Sequence, residues 1–483
     1  MKIKVQKLTT GAVLIAAASA FLFCSGFTKA SDYGNGENGY LKSATYYSDE
    51  WVINFWNSES SHMEEELKQI AEDGFNSIIL VVPWREFQPS MNPQRYNDYA
   101  WEKLDRVMEA AQRQNLKVML RVGYTWDYYS SDNVLERYEK LLYDDGTKRA
   151  WIQYAKRLYE RAAVHENFCG GFITWEDFWN FAENSVFYGS GLAGRKMASK
   201  CGYTQYVKEH YTLEELEEMY QDTFKTYEDV YLPDSLNTYS RKAFYQFYDD
   251  FLNKILAETQ AVFPDLSMEV RLDIDPVKRP DGTLEGVFHD ATFTCGSSGF
   301  TSAMYSVAMG FESNGQELSA DQALAGTGQN LDRLSAANGG KKLYVDQFLF
   351  TDNTPGFEQN AKLTESEKSA YLDGVADIFK AKTLGYAIWT YRDYGDNKLY
   401  NPQFALDKQG WDFSSGSYIE ERDGNKMAVI PSFGKISQNI KKRSAGGNGK
   451  KAHVRFWLEG DGNCRVTVQG GGKSQTVPAG APQ

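Results

Sequence analysis

The side chains with most chemical reach sit together. Glu176 and Asp177 are adjacent acids that end a short apolar run released by Gly170 and Gly171 and framed by Trp175 and Trp179. A carboxyl at the end of a buried strand costs free energy unless it has a partner or a task. Either the two acids cap the loop that follows, or one of them moves a proton beside rings able to stack on a pyranose face. Other reactive or aromatic residues fall at comparable places, at or just past the ends of apolar runs: Trp84, Trp126, Asp273, Asp346, Gln347, Trp389 and Arg392. Acids and rings dominate this set. The chain has five His in all, and no HExxH, CxxC or glycine-rich phosphate turn occurs, which argues against a zinc or nucleotide site. No metal or cofactor is expected. Two carboxyls and several rings are the equipment of glycoside hydrolysis, which needs an acid, a nucleophile or base, and a platform for the sugar.

The elements that must position these residues alternate. Apolar runs predict strands over 51–56, 75–83, 116–122, 170–175, 267–272, 301–309, 343–350 and 384–391. Periodic stretches predict helices between them, over 62–73, 99–114, 151–165, 241–263, 321–338 and 365–382. The near-continuous aliphatic run over 78–82 suits a strand covered on both faces. This alternation is the signature of an α/β protein with a (β/α)8 TIM barrel, in which residues past the strand ends gather at one mouth. A doubly wound sheet is the alternative fold. An insertion over 181–237 follows strand four and carries its own helix around 212–224, whose acids over 213–218 read as a solvated face. Residues 31–50, rich in Gly, Asn and Ser, read as a lead-in, and 51–435 as the barrel. Residues 436–483 read as a linker and a short β segment, with a hairpin of strands over 453–458 and 465–469.

A chain of 483 residues with a formal charge of −13 has no basic excess for nucleic acid, and none is expected as a partner. Aromatic residues make up 14%, which fits carbohydrate binding as well as a large core. Lys2, Lys4 and Lys7 precede an apolar stretch over 11–23, with a cleavage site at Thr28-Lys29-Ala30. Residues 1–30 therefore read as a signal peptide and the protein as secreted or at the cell surface. An uncleaved anchor competes with that reading, and would be the chain's one tie to a membrane. Cys169, Cys201, Cys295 and Cys464 are too scattered for a disulfide framework or a metal site.

The segments Val82-Pro83-Trp84-Arg85-Glu86-Phe87-Gln88-Pro89, Leu104-Asp105-Arg106-Val107-Met108 and Leu116-Lys117-Val118-Met119-Leu120-Arg121-Val122 resemble the second and third repeats of retaining glycoside hydrolases of the cellulase and β-galactosidase superfamily. Leu384-Gly385-Tyr386-Ala387-Ile388-Trp389-Thr390-Tyr391 resembles its eighth strand, where a Trp lines the innermost subsite. The resemblance implies a strand four ending in Asn-Glu, with Glu as acid/base, and a nucleophilic Glu at the end of strand seven. Here Trp175-Glu176-Asp177-Phe178 puts Asp177 at the acid/base position, and a shift of one residue would put Glu176 there. Leu343-Tyr344-Val345-Asp346-Gln347-Phe348 puts Gln347 at the nucleophile position, and an amide cannot form the glycosyl ester. On a regular strand Asp346 and Gln347 face opposite sides, and the cost of an acid under the helix layer favours Asp346 inward.

The resulting expectation is a barrel acting on a β-linked polysaccharide or oligosaccharide. Glu176 or Asp177 would protonate the leaving oxygen, and Asp346 would serve as nucleophile or as base for water. Trp84, Trp126, Trp179 and Trp389 would wall the cleft, with Asp273, Gln347 and Arg392 at the substrate. The alternatives are a glycan-binding barrel without the chemistry, and a scaffold partner of extracellular polysaccharide machinery.

Overall fold

Short aliphatic runs, each followed by a helix, form the staves of a closed barrel. The computed structural model describes residues 39–59, 62–125, 134–235, 238–264, 266–271, 275–287, 289, 301–304, 316–348, 361–392, 399–422, 425–439, 459–460, 463–468 and 473–478. Eight strands pair in parallel around a full circle: β1 (Leu41–Thr45), β2 (Ser77–Val82), β3 (Lys117–Val122), β4 (Phe168–Thr174), β5 (Ser267–Arg271), β6 (Thr301–Met304), β7 (Leu343–Phe348) and β8 (Thr383–Ile388). The fold is the expected TIM barrel. Leu41, Ile79, Met119, Cys169, Phe172, Tyr344, Leu384 and Ala387 fill its axis. Alternate residues on the same strands meet the surrounding helices, as a strand period of two requires.

Those helices include α1 (Val52–Phe55), α2 (Met63–Glu72), α3 (Asp98–Arg113), α4 (Val134–Lys140), α5 (Asp145–Ala162), α6 (Trp175–Asn184), α7 (Ser240–Gln260), α8 (Ala320–Ala337) and α9 (Lys368–Lys382). The insertion after β4 continues as three short helices, Leu192–Cys201, Tyr203–His210 and Leu213–Tyr220. In the last of these Glu214, Glu215 and Glu218 are exposed, and Thr212 with Glu215 forms a capping box. Cys169 and Cys201 are free and buried.

The first strand lies in the stretch read as a lead-in. Residues 51–56, expected as strand one, contain helix α1 instead. A short apolar run suits a buried helical turn as well as a strand. The true β1 is Leu-Lys-Ser-Ala-Thr, whose small residues do not read as an apolar run. They suit the barrel seam, where Ser43 Oγ meets Ser77 Oγ at 2.5 Å and Tyr344 donates to Ser43 Oγ at 2.7 Å. Helix α1 is pinned from outside by the buried Lys103 ammonium, which donates to the carbonyls of Phe55 and Ser58. Burial lowers the Lys103 pKa to about 7.

Strand β7 is irregular. Ser302 pairs with Val345 but Ala303 with Gln347, so one residue is inserted at Asp346. Val345 and Phe348 both pack in the helix-side cluster with Tyr371 and Phe379. Between them lie two residues rather than one, and both Asp346 and Gln347 are buried. The choice between the two posed by a regular strand is therefore lifted by a β-bulge.

Residues 443–483 form a separate unit. Its described hairpin pairs Asn463–Val468 with Lys473–Pro478. The expected strand over 453–458 lies outside the described residues.

The barrel closes where Gly385 of β8 pairs with Leu41 of β1. A Cβ on Gly385 would collide with the carbonyl oxygen and Cβ of Leu41. Gly385→Ala is expected to destabilise the fold by about 1–3 kcal/mol, read as a lower midpoint in chemical denaturation; an unchanged midpoint would refute the close approach.

Candidate active site at the barrel mouth

One cation organises the C-terminal end of the barrel. Strand β3 turns Arg121 inward, one layer above Met119, and leaves it 3% exposed. Its Nε donates to Asp177 Oδ2 at 3.0 Å, and Nη2 donates to Asp177 Oδ1 and Glu176 Oε2, both at 3.1 Å. Nη2 also reaches Thr174 Oγ1 at 3.3 Å. Burial opposes the guanidinium charge, but Asp177, Glu176 and Glu269 outweigh it and hold Arg121 well above its ordinary pKa. The rings of Tyr124 and Trp389 lie 5.6 and 5.7 Å from its guanidinium carbon, within cation–π range.

The two adjacent acids have different tasks. Helix α6 starts directly after β4, so Glu176 and Asp177 occupy its first turn. Thr174 Oγ1 accepts from the Asp177 amide at 3.0 Å and donates to Asp177 Oδ2 at 2.7 Å. Thr125 Oγ1 donates to the Asp177 carbonyl at 2.9 Å. Asp177 is wholly buried, with both oxygens engaged; burial raises its pKa to about 6 despite Arg121. It anchors Arg121, while Thr174 caps the first turn of α6. Glu176, at 18% side-chain exposure, keeps a path to solvent.

A second carboxyl pair faces them. Asp346, on the bulge of β7, is 3% exposed, and Glu269 of β5 is wholly buried. The two carboxyls interact with one another. Burial holds Asp346 well above the usual carboxylate range, against the pull of Arg121. Sequence reading missed Glu269. Its signal was position: two residues before the end of β5, it takes the inward phase, where an acid has no other reason to sit. Gln347 is 4% exposed, and its Oε1 has no hydrogen-bond partner among the described residues.

Rings line the same end. Trp389 lies 5.8 Å from Tyr47, Tyr47 lies 6.1 Å from Trp51, and Trp51 lies 6.1 Å from Tyr124. Trp389 is half-buried. Tyr47 and Trp51 went unrecognised because β1 was placed too late in the chain. Once Leu41–Thr45 is the strand, both fall just past its end.

Two expected site residues, Trp84 and Arg392, do other work. Trp84 is fully buried, packed on Tyr138 and Trp151, with its Nε1 donating to Gln88 Oε1 at 2.7 Å, so it offers no face to a cleft. An apolar residue after a strand reads the same from sequence whether it points to the mouth or under a helix. Trp175, which frames the acids, is also buried; it donates to Asp249 Oδ1 at 2.6 Å and lies against His289, fixing the start of α6. Arg392 pairs with Glu66 at 3.4 Å and is 44% exposed. Trp179 lies in α6, while Trp126 and Asp273 lie outside the described residues. Among the described residues no cluster suits a metal ion, and no helix is long and apolar enough to cross a membrane.

Two measurements test this electrostatic frame. Arg121→Met would leave Asp177 buried without its cation, a loss of about 3–5 kcal/mol in unfolding free energy; a loss below 1 kcal/mol would contradict the anchoring role. Because Asp177 rises from 3.8 to about 6 on folding, the folded state binds its proton more tightly. That contribution is complete below pH 3.8 and is lost as pH rises through about 6. Unfolding free energy measured across this window should decline less steeply in Asp177→Asn than in the parent.

No protein-family model matches the chain, and neither does any curated protein. Solved structures similar to it include the exo-β-1,4-mannosidase Op5Man5 from Opitutaceae bacterium strain TAV5, at 13% identity over 77% of this chain and 56% of that one, with a TM-score of 0.41. A β-galactosidase from the psychrophilic Marinomonas ef1 is similar at 13% identity over 74% of this chain and 55% of that one, TM-score 0.48. Thermotoga maritima Cel5A is similar at 9% identity over 73% of this chain and 90% of that one, TM-score 0.39. The chain spans little more than half the length of the mannosidase and the galactosidase. The likeness is one of fold, and the chemistry rests on the side chains at the barrel mouth.

Proposed function

We propose that this chain is a secreted glycoside hydrolase-like barrel that acts on a β-linked polysaccharide or oligosaccharide with two carboxyl centres. The observation that carries the reading is the gathering of Glu176, Asp177, Glu269 and Asp346 around one buried arginine, beneath the rings of Tyr47, Trp51, Tyr124 and Trp389. Asp177 anchors Arg121. Asp346, held protonated by burial beside Glu269, serves as general acid toward the leaving oxygen. Glu176 is the carboxylate on the other side, acting on the anomeric carbon or on a water. Relative to the sequence expectation the roles are exchanged, because a carboxyl held protonated by burial donates rather than attacks. The three lysines and apolar stretch at the N-terminus support export.

A second reading, a glycan-binding barrel without hydrolysis, is favoured by one observation: Asp177, Glu269 and Asp346 are each no more than 3% exposed. Reducing-end release from β-glucans, galactans, mannans and xylans separates the two. Glu176→Gln and Asp346→Asn should each lower the rate about 10²–10⁴-fold, and Asp346→Asn should remove the alkaline limb of the pH profile. Binding to one glycan without release from any would select the second reading.

A further inference from the structure

A cavity of about 780 Å³ opens beside the barrel mouth. Its walls are the hairpin after β2, helix α4 and the start of α5, and they bring three cations together: Arg137, Lys140 and Arg149. Asp144 is the only acid among the lining residues. Its Oδ2 already accepts from the amide and hydroxyl of Thr147, both at 2.7 Å, which lowers its pKa. The Arg137 guanidinium braces the hairpin, donating to Gln88 O at 2.6 Å and Pro89 O at 2.5 Å. Lys140 pairs with Glu136 one turn earlier on α4, an exposed contact that is easily exchanged. Asp145, next to Asp144, is a further exposed acid at the rim, and Glu139 accepts from the hydroxyls of Tyr143 and Tyr188 at 2.8 and 2.7 Å. Arg149 is exposed, and with Lys140 it helps hold the Asp144 carboxyl below its ordinary pKa. Asn92, Gln94 and Gln153 add amides suited to neutral hydroxyls.

Helix α4 ties one wall of the cavity to the mouth. Tyr138 on that helix accepts a hydrogen bond from the Tyr124 amide at 3.2 Å, and Tyr124 belongs to the aromatic ring of the mouth. Its neighbours Arg137 and Lys140 face the cavity. Three cations to one acid among the described lining residues is a local excess on a chain of net charge −13, though Glu136 and Asp145 adjoin it. An acidic ligand approaching this protein would be repelled except where such a hollow focuses the field.

Resting on the glycan reading above, we infer that this cavity is a remote subsite for a uronic acid unit, with Lys140 and Arg149 receiving its carboxylate, so that the preferred glycan is anionic. Charge-assisted hydrogen bonds of this kind are the stronger ones, and an arginine fits a carboxylate's two oxygens. The lining amides would hold the sugar hydroxyls.

Isothermal titration of the full chain with β-1,4-linked tetraglucuronate and with cellotetraose tests this, since the two differ only at C6. The parent should bind tetraglucuronate about tenfold more tightly, with affinity falling as salt rises. A Lys140→Ala/Arg149→Ala double variant should lose that preference, keep its affinity for cellotetraose and unfold at the parent's temperature. Equal parent affinity for both sugars, or an undiminished preference in the variant, would overturn the subsite while leaving the glycan reading intact. Binding of neither sugar would overturn the subsite, and the glycan reading would stand or fall on the release panel.

Discussion

A guanidinium enclosed in a barrel must be neutralised where it sits, and in this protein the requirement falls on Arg121. Its donors reach Asp177, Glu176 and Thr174, and Glu269 adds to the field that keeps it charged. Burying an ion pair contributes little stability by itself, but removing one partner from it is costly. The geometry of β3, the end of β4 and the first turn of α6 is therefore set together. The acids on β5 and β7 then lie in a field whose sign is already fixed.

That field divides labour among four carboxyls that a list of residues would treat alike. Asp177 has both oxygens engaged and no exposure. Glu176, its immediate neighbour, shares the same arginine but reaches solvent. Glu269 and Asp346, farther around the barrel, are buried side by side, and burial holds Asp346 well above the usual carboxylate range. Two proton-holding environments and one partly open carboxylate within a single mouth are a pattern seen where acid and base roles must differ in one site.

The architecture was legible because its signals are periodic and redundant. A run such as 78–82 admits few alternatives once a helix follows it, and repetition of the unit identifies the barrel. Glu176, Asp177 and Asp346 were legible as acids at strand ends, and Trp389 as a ring beside them. What escaped depends on which way a side chain turns. Trp84 follows β2 closely but turns beneath helices, while Tyr47 and Trp51 turn toward the mouth after a strand too polar and short to notice. Glu269 was hidden by a neighbour: Asp273, at the apparent end of the run, drew the attention that the inward phase of β5 should have directed two turns of the pleat earlier.

The extra residue in β7 bears on how this barrel could be matched to any other. Matching strands position by position assumes that each stave has the same number of residues between layers. With one residue inserted at Asp346, any such matching slips there, and a single step decides whether the acid or the amide is set opposite a given position. Losing or gaining that single residue would exchange which side chain meets the axis while leaving Val345 and Phe348 seated against the helices. A lineage could thus retire or restore an acid at this mouth through one codon's length, with the rest of the barrel undisturbed.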